Sequence, residues 1–328
     1  MSDAIGEKIA LRLLIRTRNA KCKTRKPPIV MTYINPTTDF AFKKIFGSDK
    51  SHDILISFLN GILYGGELII RDLVILDPYQ APRIEGFKSS YLDVKAQLST
   101  GESVIIEMQV LNIDGFQKRI LYNATKTYSA QLKSGDGYSA INPVIALTIL
   151  GFNMFEESEG PIVRFILKEK TMLFNYPVCD LELVFVELPK FKIDIQDLTT
   201  LTDKWIYFLR NASKLGAVPG SLDQIPEIHQ AFALANEAQL TVEERDRLDR
   251  EIFFIYDQQK LKDSVNEALI KGLEQGLEQG RGEGEEKGRL EATIATQKDI
   301  ARRLLDVMDD QTIAQTTGLS VEEVRCLR

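Results

Sequence analysis

The sequence predicts an α/β protein whose core runs α-β-β-β-α-β and is followed by a helical C-terminal region. Three observations predict it. Short apolar, β-branched runs such as Val104–Val110 and Val144–Leu150 alternate with helix-period segments over roughly the first 190 residues. From about Leu198 onward the pattern turns wholly helical. The chain has 328 residues, 44% of them hydrophobic and 27% charged, enough for one substantial core plus a smaller second domain.

Thr37 to about Asn60 reads as a helix, with Thr37 or Thr38 as its cap, an apolar side of Phe40, Ile45, Phe46, Ile54, Phe58 and Leu59, and a break at Gly47-Ser48-Asp49. Leu68–Leu76 reads as a strand closed by Asp77-Pro78. Two further strands, about 90–98 and 103–111, form a hairpin around Ser99-Thr100-Gly101, with Gly101 supplying the positive φ. Asp114–Lys133 is the next helix, ended by Ser134-Gly135-Asp136-Gly137. Val144–Leu150 has the length and composition of a fully buried strand, and Ile162–Leu167 and Leu181–Leu188 extend the sheet.

Helical segments follow around Trp205, over Ile228–Ala238 and from Val242 to about Gly272. Trp205, at helical spacing with Leu201 and Leu209, is a core residue. Glycine then recurs at 272, 276, 280, 284 and 288. At about 1 kcal/mol each relative to alanine, these glycines set a frayed or partner-stabilised helix against a flexible linker. In the last 30 residues, Ala314, Gly318 and Val324 match the small residue, turn glycine and buried aliphatic of a helix-turn-helix. Ser320-Val-Glu-Glu323 is a capping box. Only Arg325 and Arg328 oppose Glu322 and Glu323 there, which favours packing or self-association over DNA reading. The domains expected are therefore a basic arm over 1–30, an α/β domain over 31–190, a helical region over 191–271, a Gly/Glu-rich segment over 272–290 and a tail over 291–328.

The basic arm carries eight Lys and Arg against Asp3 and Glu7, in a chain whose net charge is −6. It reads first as an upstream start, with a transit peptide, a phosphate-touching arm or a disordered tail as the alternatives. Three distant cysteines lack metal-ligand spacing and imply a reducing, cytoplasmic compartment. No run approaches 18 apolar residues, so no membrane partner is expected. His52 and His229 stand apart from any nucleophile, and no phosphate-cradling glycine loop supports ATP dependence.

The chemistry concentrates in the hairpin. Glu107 and Gln109 share one face of an otherwise apolar strand, and pairing Leu98 with Glu102 puts Asp93 opposite Glu107. Facing side chains then lie roughly 5 Å apart at Cβ. Two like charges at that separation repel unless a cation bridges them, and Mg²⁺ with oxygen ligands at about 2.0–2.1 Å fits the gap.

This arrangement resembles the PD-(D/E)XK nuclease superfamily and its restriction-endonuclease-like core. The nearest likeness is to the recombination-promoting nuclease and transposase branch, running over almost all of residues 31–328. It is carried by Asn35-Pro-Thr-Thr-Asp-Phe-Ala-Phe-Lys-Lys-Ile-Phe-Gly47, Leu92-Asp-Val94, Ile106-Glu-Met-Gln109 and Phe116-Gln-Lys-Arg-Ile-Leu-Tyr122. Gln131-Leu-Lys-Ser-Gly-Asp-Gly-Tyr138 and Asn142-Pro-Val144 add to it. Gln109 stands where the superfamily has lysine, but Glu-x-Gln agrees with the branch.

The resemblance implies a metal-dependent DNA endonuclease linked to recombination, mobile elements or defence against foreign DNA. Asp93, Glu107 and the Met108 carbonyl are then expected to hold Mg²⁺ or Mn²⁺, with Asp39 as a fourth member of the site. Gln109 is expected to orient the attacking water and Lys95 to replace the missing charge. Arg119 and Tyr122 are expected to face the scissile phosphate or to buttress the carboxylates, and Lys126 to lie on the DNA side, where Lys43, Lys44, Lys118 and Lys133 are further phosphate-facing candidates. The expected partners are DNA and a second copy of the chain. The competing reading is a DNA-associated or self-assembling regulator that acts through its C-terminal helices and has a weak or inactive nuclease core.

Overall fold

The computed structural model describes residues 32–80 and 90–328; the basic arm over 1–30 lies outside them. Two compact units divide the chain, the first ending at Phe253 and the second running from Phe254 to Arg328. The first opens with α1 (Asp39–Phe46), capped by Thr38, whose hydroxyl accepts from the Ala41 N–H. Phe40, Ala41, Phe42, Ile45 and Phe46 are buried. A turn of 3₁₀-helix at Asp49–Ser51 separates it from α2 (His52–Tyr64), which ends on Gly65 at φ 65°. The expected break at Gly47–Asp49 is therefore present.

Strands β1 (Leu73–Leu76), β2 (Tyr79–Gln80), β3 (Ser90–Tyr91), β4 (Val94–Leu98) and β5 (Ser103–Gln109) precede helix α3 (Phe116–Ser129). Then come β6 (Val144–Leu150), β7 (Ile162–Phe165) and β8 (Leu181–Glu187). The main sheet has the order β1-β4-β5-β6-β8-β7, and β2 and β3 pair separately. β4 pairs antiparallel with β1 and, through the tight turn at Ser99-Thr100-Gly101, with β5, whereas the α3 crossover makes β6 parallel to β5. All seven residues of β6 are buried, because both sheet faces are covered. One face packs on α1 and α2 in the large core, and the other packs on Phe116, Ile120 and Ala124 of α3.

The first strand is shorter than the Leu68–Leu76 read from the sequence. The Asn60 side chain takes both backbone groups of Ile70, at 2.9 and 2.8 Å, so this stretch is held by a helix side chain instead of a neighbouring strand. The expected strand over 90–98 is likewise interrupted, between Tyr91 and Val94.

Helices α4 (Leu201–Asn211), α5 (Gly220–Asp223) and α6 (Pro226–Leu234) join the large core, where Trp205 is fully buried and donates to the Ser57 hydroxyl at 3.2 Å. Helix α7 then runs without a break from Val242 to Leu304, through the glycine-rich segment. In the second unit the end of α7, α8 (Asp310–Thr317) and α9 (Val321–Arg325) close around Ala301, Ile313, Ala314, Leu319 and Val324. Gly318 supplies the left-handed turn at φ 76°, and Arg325 and Arg328 both pair with Asp310, at 3.7 and 2.9 Å. Among the described residues, no helix is long and apolar enough to cross a membrane.

Candidate active site

A β-bulge builds the site. Val94 pairs with Ile106, yet the Asp93 N–H also donates to the Ile106 carbonyl, at 3.2 Å, so two residues of one strand oppose one of the other. The extra residue breaks the alternation of faces: Leu92 packs in the α3 core, and Val94, two residues later, packs in the α1 core. A regular register would turn Asp93 to the face of Glu107. The bulge re-aims it toward α1.

There Asp93 meets Asp39 and Lys43, one helical turn apart on α1. The Lys43 ammonium lies 2.6 Å from Asp39 Oδ1 and 3.3 Å from Asp93 Oδ1, and the two carboxyl groups are hydrogen-bonded to each other. Burial pushes the Asp93 carboxyl up to about 7, assisted by the hydrogen bond to Asp39 and opposed by the Met108 N–H and Lys43. Burial also opposes ionisation of Asp39, but its hydrogen bond with Asp93 and the Lys43 ammonium hold it below the usual carboxylate range. Below about pH 7 the pair therefore retains one proton, on Asp93.

Glu251, in the third turn of α7, locks this helix from outside. Its carboxylate accepts from the N–H groups of Asp39 and, at 3.0 Å, Phe40, two donors with no partner inside α1. Glu244 pairs with Lys44, and Arg247 lies over the Phe40 ring at 5.8 Å. Residues 244, 247 and 251 share one helical face, so three successive turns of α7 clasp α1. That spacing is visible in the sequence, but only the fold shows what it faces.

Glu107 lies on the other face of the sheet, turned to α3. It is buried, accepts from the Asn123 amide and stands 3.4 Å from the Arg119 guanidinium. Arg119 also donates to Gln109 Oε1 at 2.6 Å, while Gln109 Nε2 donates to the Leu111 carbonyl at 2.6 Å. Gln109 therefore holds Arg119 in place. The two acids approach through the backbone: Asp93 Oδ2 accepts from the N–H of Met108, the residue after Glu107, at 2.7 Å.

The remaining expected residues divide. Lys95 pairs with Ile105, on the sheet face of Glu107, so it is not beside Asp93; Lys43 holds the place beside Asp93 instead. Tyr122 is exposed one turn from Arg119. Lys126 donates to the Gln80 carbonyl at 2.9 Å and lies over the Tyr122 ring, tying α3 to β2. Sequence reading did not single out Glu251 or Asn123.

Among the described residues, no three His, Cys, Asp or Glu side chains stand close enough together to hold a metal ion. The oxygens present nevertheless suit a hard divalent cation: two carboxylates, the Met108 carbonyl, and a buried Asn123 Oδ1 that has no hydrogen-bond partner beside Glu107. Such an orphaned acceptor fits a cation or its bound water.

No curated protein and no solved structure matches the chain. Residues 36–265, from the segment before α1 to the first turns of α7, match the family of PD-(D/E)XK nuclease family transposases. With that match over more than half its length, the chain belongs to the PD-(D/E)XK nuclease family transposases.

Proposed function

We propose that this protein is a metal-dependent DNA endonuclease. The observation that carries the reading is the cluster of Asp39, Lys43 and Asp93, in which a bulge re-aims Asp93 onto the Met108 N–H, next to Glu107. Backbone irregularities of this kind are frequent beside active sites, where they re-aim a side chain.

Asp93, Glu107 and the Met108 carbonyl would hold Mg²⁺ or Mn²⁺. When bound, the ion supplies Lewis-acid charge and an activated water for phosphodiester hydrolysis. Asp93, which burial keeps protonated up to about pH 7, would hold a cation in its ionised form, with its proton released to water and Asp39 ionised beside it. Lys43 and Arg119 supply positive charge for the non-bridging phosphate oxygens, a role Gln109 cannot fill. Gln109 contributes by aiming Arg119.

Supercoiled plasmid incubated with purified protein in Mg²⁺, Mn²⁺, Ca²⁺ or EDTA tests this. Nicking is expected with Mg²⁺ or Mn²⁺ and lost in EDTA and in Asp93→Asn. Cleavage that persists in EDTA would overturn the mechanism, and inactivity in every metal with tight plasmid binding would favour the regulator.

A further inference from the structure

Two tyrosines stand next to the site with no role in it. Tyr79 of β2 and Tyr91 of β3 are partners across the two-stranded ribbon, with ring centroids 4.8 Å apart and planes inclined by 39°. The chain distance from Tyr91 to Asp93 is two residues, no more than about 7 Å between their Cα atoms. Tyr91 is 71% exposed and Tyr79 39% exposed. Tyr91 is followed directly by Leu92, which is buried against α3 and fixes where the ribbon lies.

The ribbon does not need these rings to hold it. Gln80 is buried and donates to the Thr127 hydroxyl at 2.6 Å, Lys126 donates to the Gln80 carbonyl, and the Leu92 N–H donates to the Pro78 carbonyl at 3.1 Å. All three contacts join the ribbon to α3 or to itself through the backbone or the side opposite the tyrosines. A tyrosine pair that served only to pair the strands would gain most by burying its faces, since aromatic rings stabilise chiefly through the area they remove from water. Here the outer ring keeps its face in solvent.

We propose that Tyr79 and Tyr91 form a stacking ledge for an unpaired nucleobase beside the site, so that the substrate is single-stranded or locally opened DNA. The chemistry is that of single-strand binders, in which aromatic faces take bases irrespective of sequence while positive charge tracks the backbone. Arg119, on the α3 helix that carries the ribbon, supplies such a charge and also touches Glu107 and Gln109. A nucleotide stacked on the ledge would place its neighbouring phosphate toward Asp93. An intact duplex, with its bases already stacked on each other, offers the rings no free face.

This rests on the nuclease reading, and its test separates the two. Binding of fluorescein-labelled oligonucleotides to the full chain is measured by anisotropy in EDTA, with a single-stranded thymidine 15-mer, the same length carrying abasic sites throughout its centre, and a duplex. Wild type is expected to prefer the thymidine strand to both others. Tyr79→Ala combined with Tyr91→Ala is expected to lose roughly tenfold or more of that affinity while its weaker binding of the abasic strand is unchanged, and the paired Tyr→Phe variants are expected to bind as wild type. Equal binding of thymidine and abasic strands by wild type overturns the ledge, as does undiminished affinity of the double alanine variant. If wild type still nicks plasmid in Mn²⁺ under either of those outcomes, the nuclease stands and only the ledge falls. Failure to nick together with failure to bind any strand removes both.

Discussion

Asp39 and Asp93, one from a helix and the other from a strand bulge, share a hydrogen bond between their carboxyl groups next to the Lys43 ammonium. Three ionisable groups meet where a regular hairpin would have left Asp93 facing Glu107. The site therefore carries an acid that burial keeps protonated up to about pH 7, well above the ordinary carboxylate range.

The first prediction follows from that proton. Asp93 has a folded pKa raised to about 7, above the ordinary carboxylate value, so its contribution to stability is fully present below about pH 4 and is lost as the pH rises through 7. Asp93→Asn removes the loss. In EDTA the variant should match wild type near pH 4 and exceed it at pH 8 by a few kcal/mol, on the scale of about 1.4 kcal/mol per pKa unit. Urea midpoints across this range measure it; a difference that does not change with pH would mean that Asp93 is ionised in the fold throughout.

Glu251 is expected to matter to the site although it lies far from it in sequence. Glu251→Ala strips the acceptor from the N–H groups of Asp39 and Phe40, at a cost of about 1–2 kcal/mol, comparable to loss of a helix cap. Plasmid nicking, measured well below the melting temperature, should fall further than that stability loss explains, because Asp39 is no longer anchored. Glu251→Gln, with one acceptor oxygen, should lie between. Unchanged nicking in the alanine variant would show that α7 only packs on α1.

Glu107→Gln separates metal binding from folding. The substituted amide can still accept from Asn123, and Arg119 keeps its bond to Gln109, so melting without metal should change by no more than about 1 kcal/mol. Stabilisation by Mn²⁺ should shrink and nicking should collapse together, since a ligand stabilises in proportion to its affinity for the native state. A variant that still gained full stability from Mn²⁺ would place the ion elsewhere.

Gly61→Ala serves as a probe of packing away from the site. A Cβ at Gly61 would lie 2.9 Å from Trp205 Cδ1, where α2 and α4 meet closely. Overpacking of this kind costs roughly 1–3 kcal/mol. The melting temperature should drop with nicking retained in the folded protein; a neutral melt would show that the indole has room to move.

Periodicity and composition alone determined the α-β-β-β-α-β core, the buried β6, the break after α1 and the core position of Trp205, because each depends on local alternation or on which faces must leave water. The acids Asp39, Asp93 and Glu107 were legible for the same reason: a carboxylate in an apolar strand, or at a helix start beside a matching motif, stands out. Their arrangement was not. Register counted residue by residue put Asp93 opposite Glu107, but one extra residue at a bulge sends it to the other face, and a bulge depends on how the strand packs against α1 and not on its own letters. Residues 68–72 read as strand and instead hang on the Asn60 amide. The partners of the acids, Lys43, Asn123, Arg119 and Glu251, come from three helices, and their distances were decided only when tertiary packing laid α1 and α7 on one side of the sheet and α3 on the other.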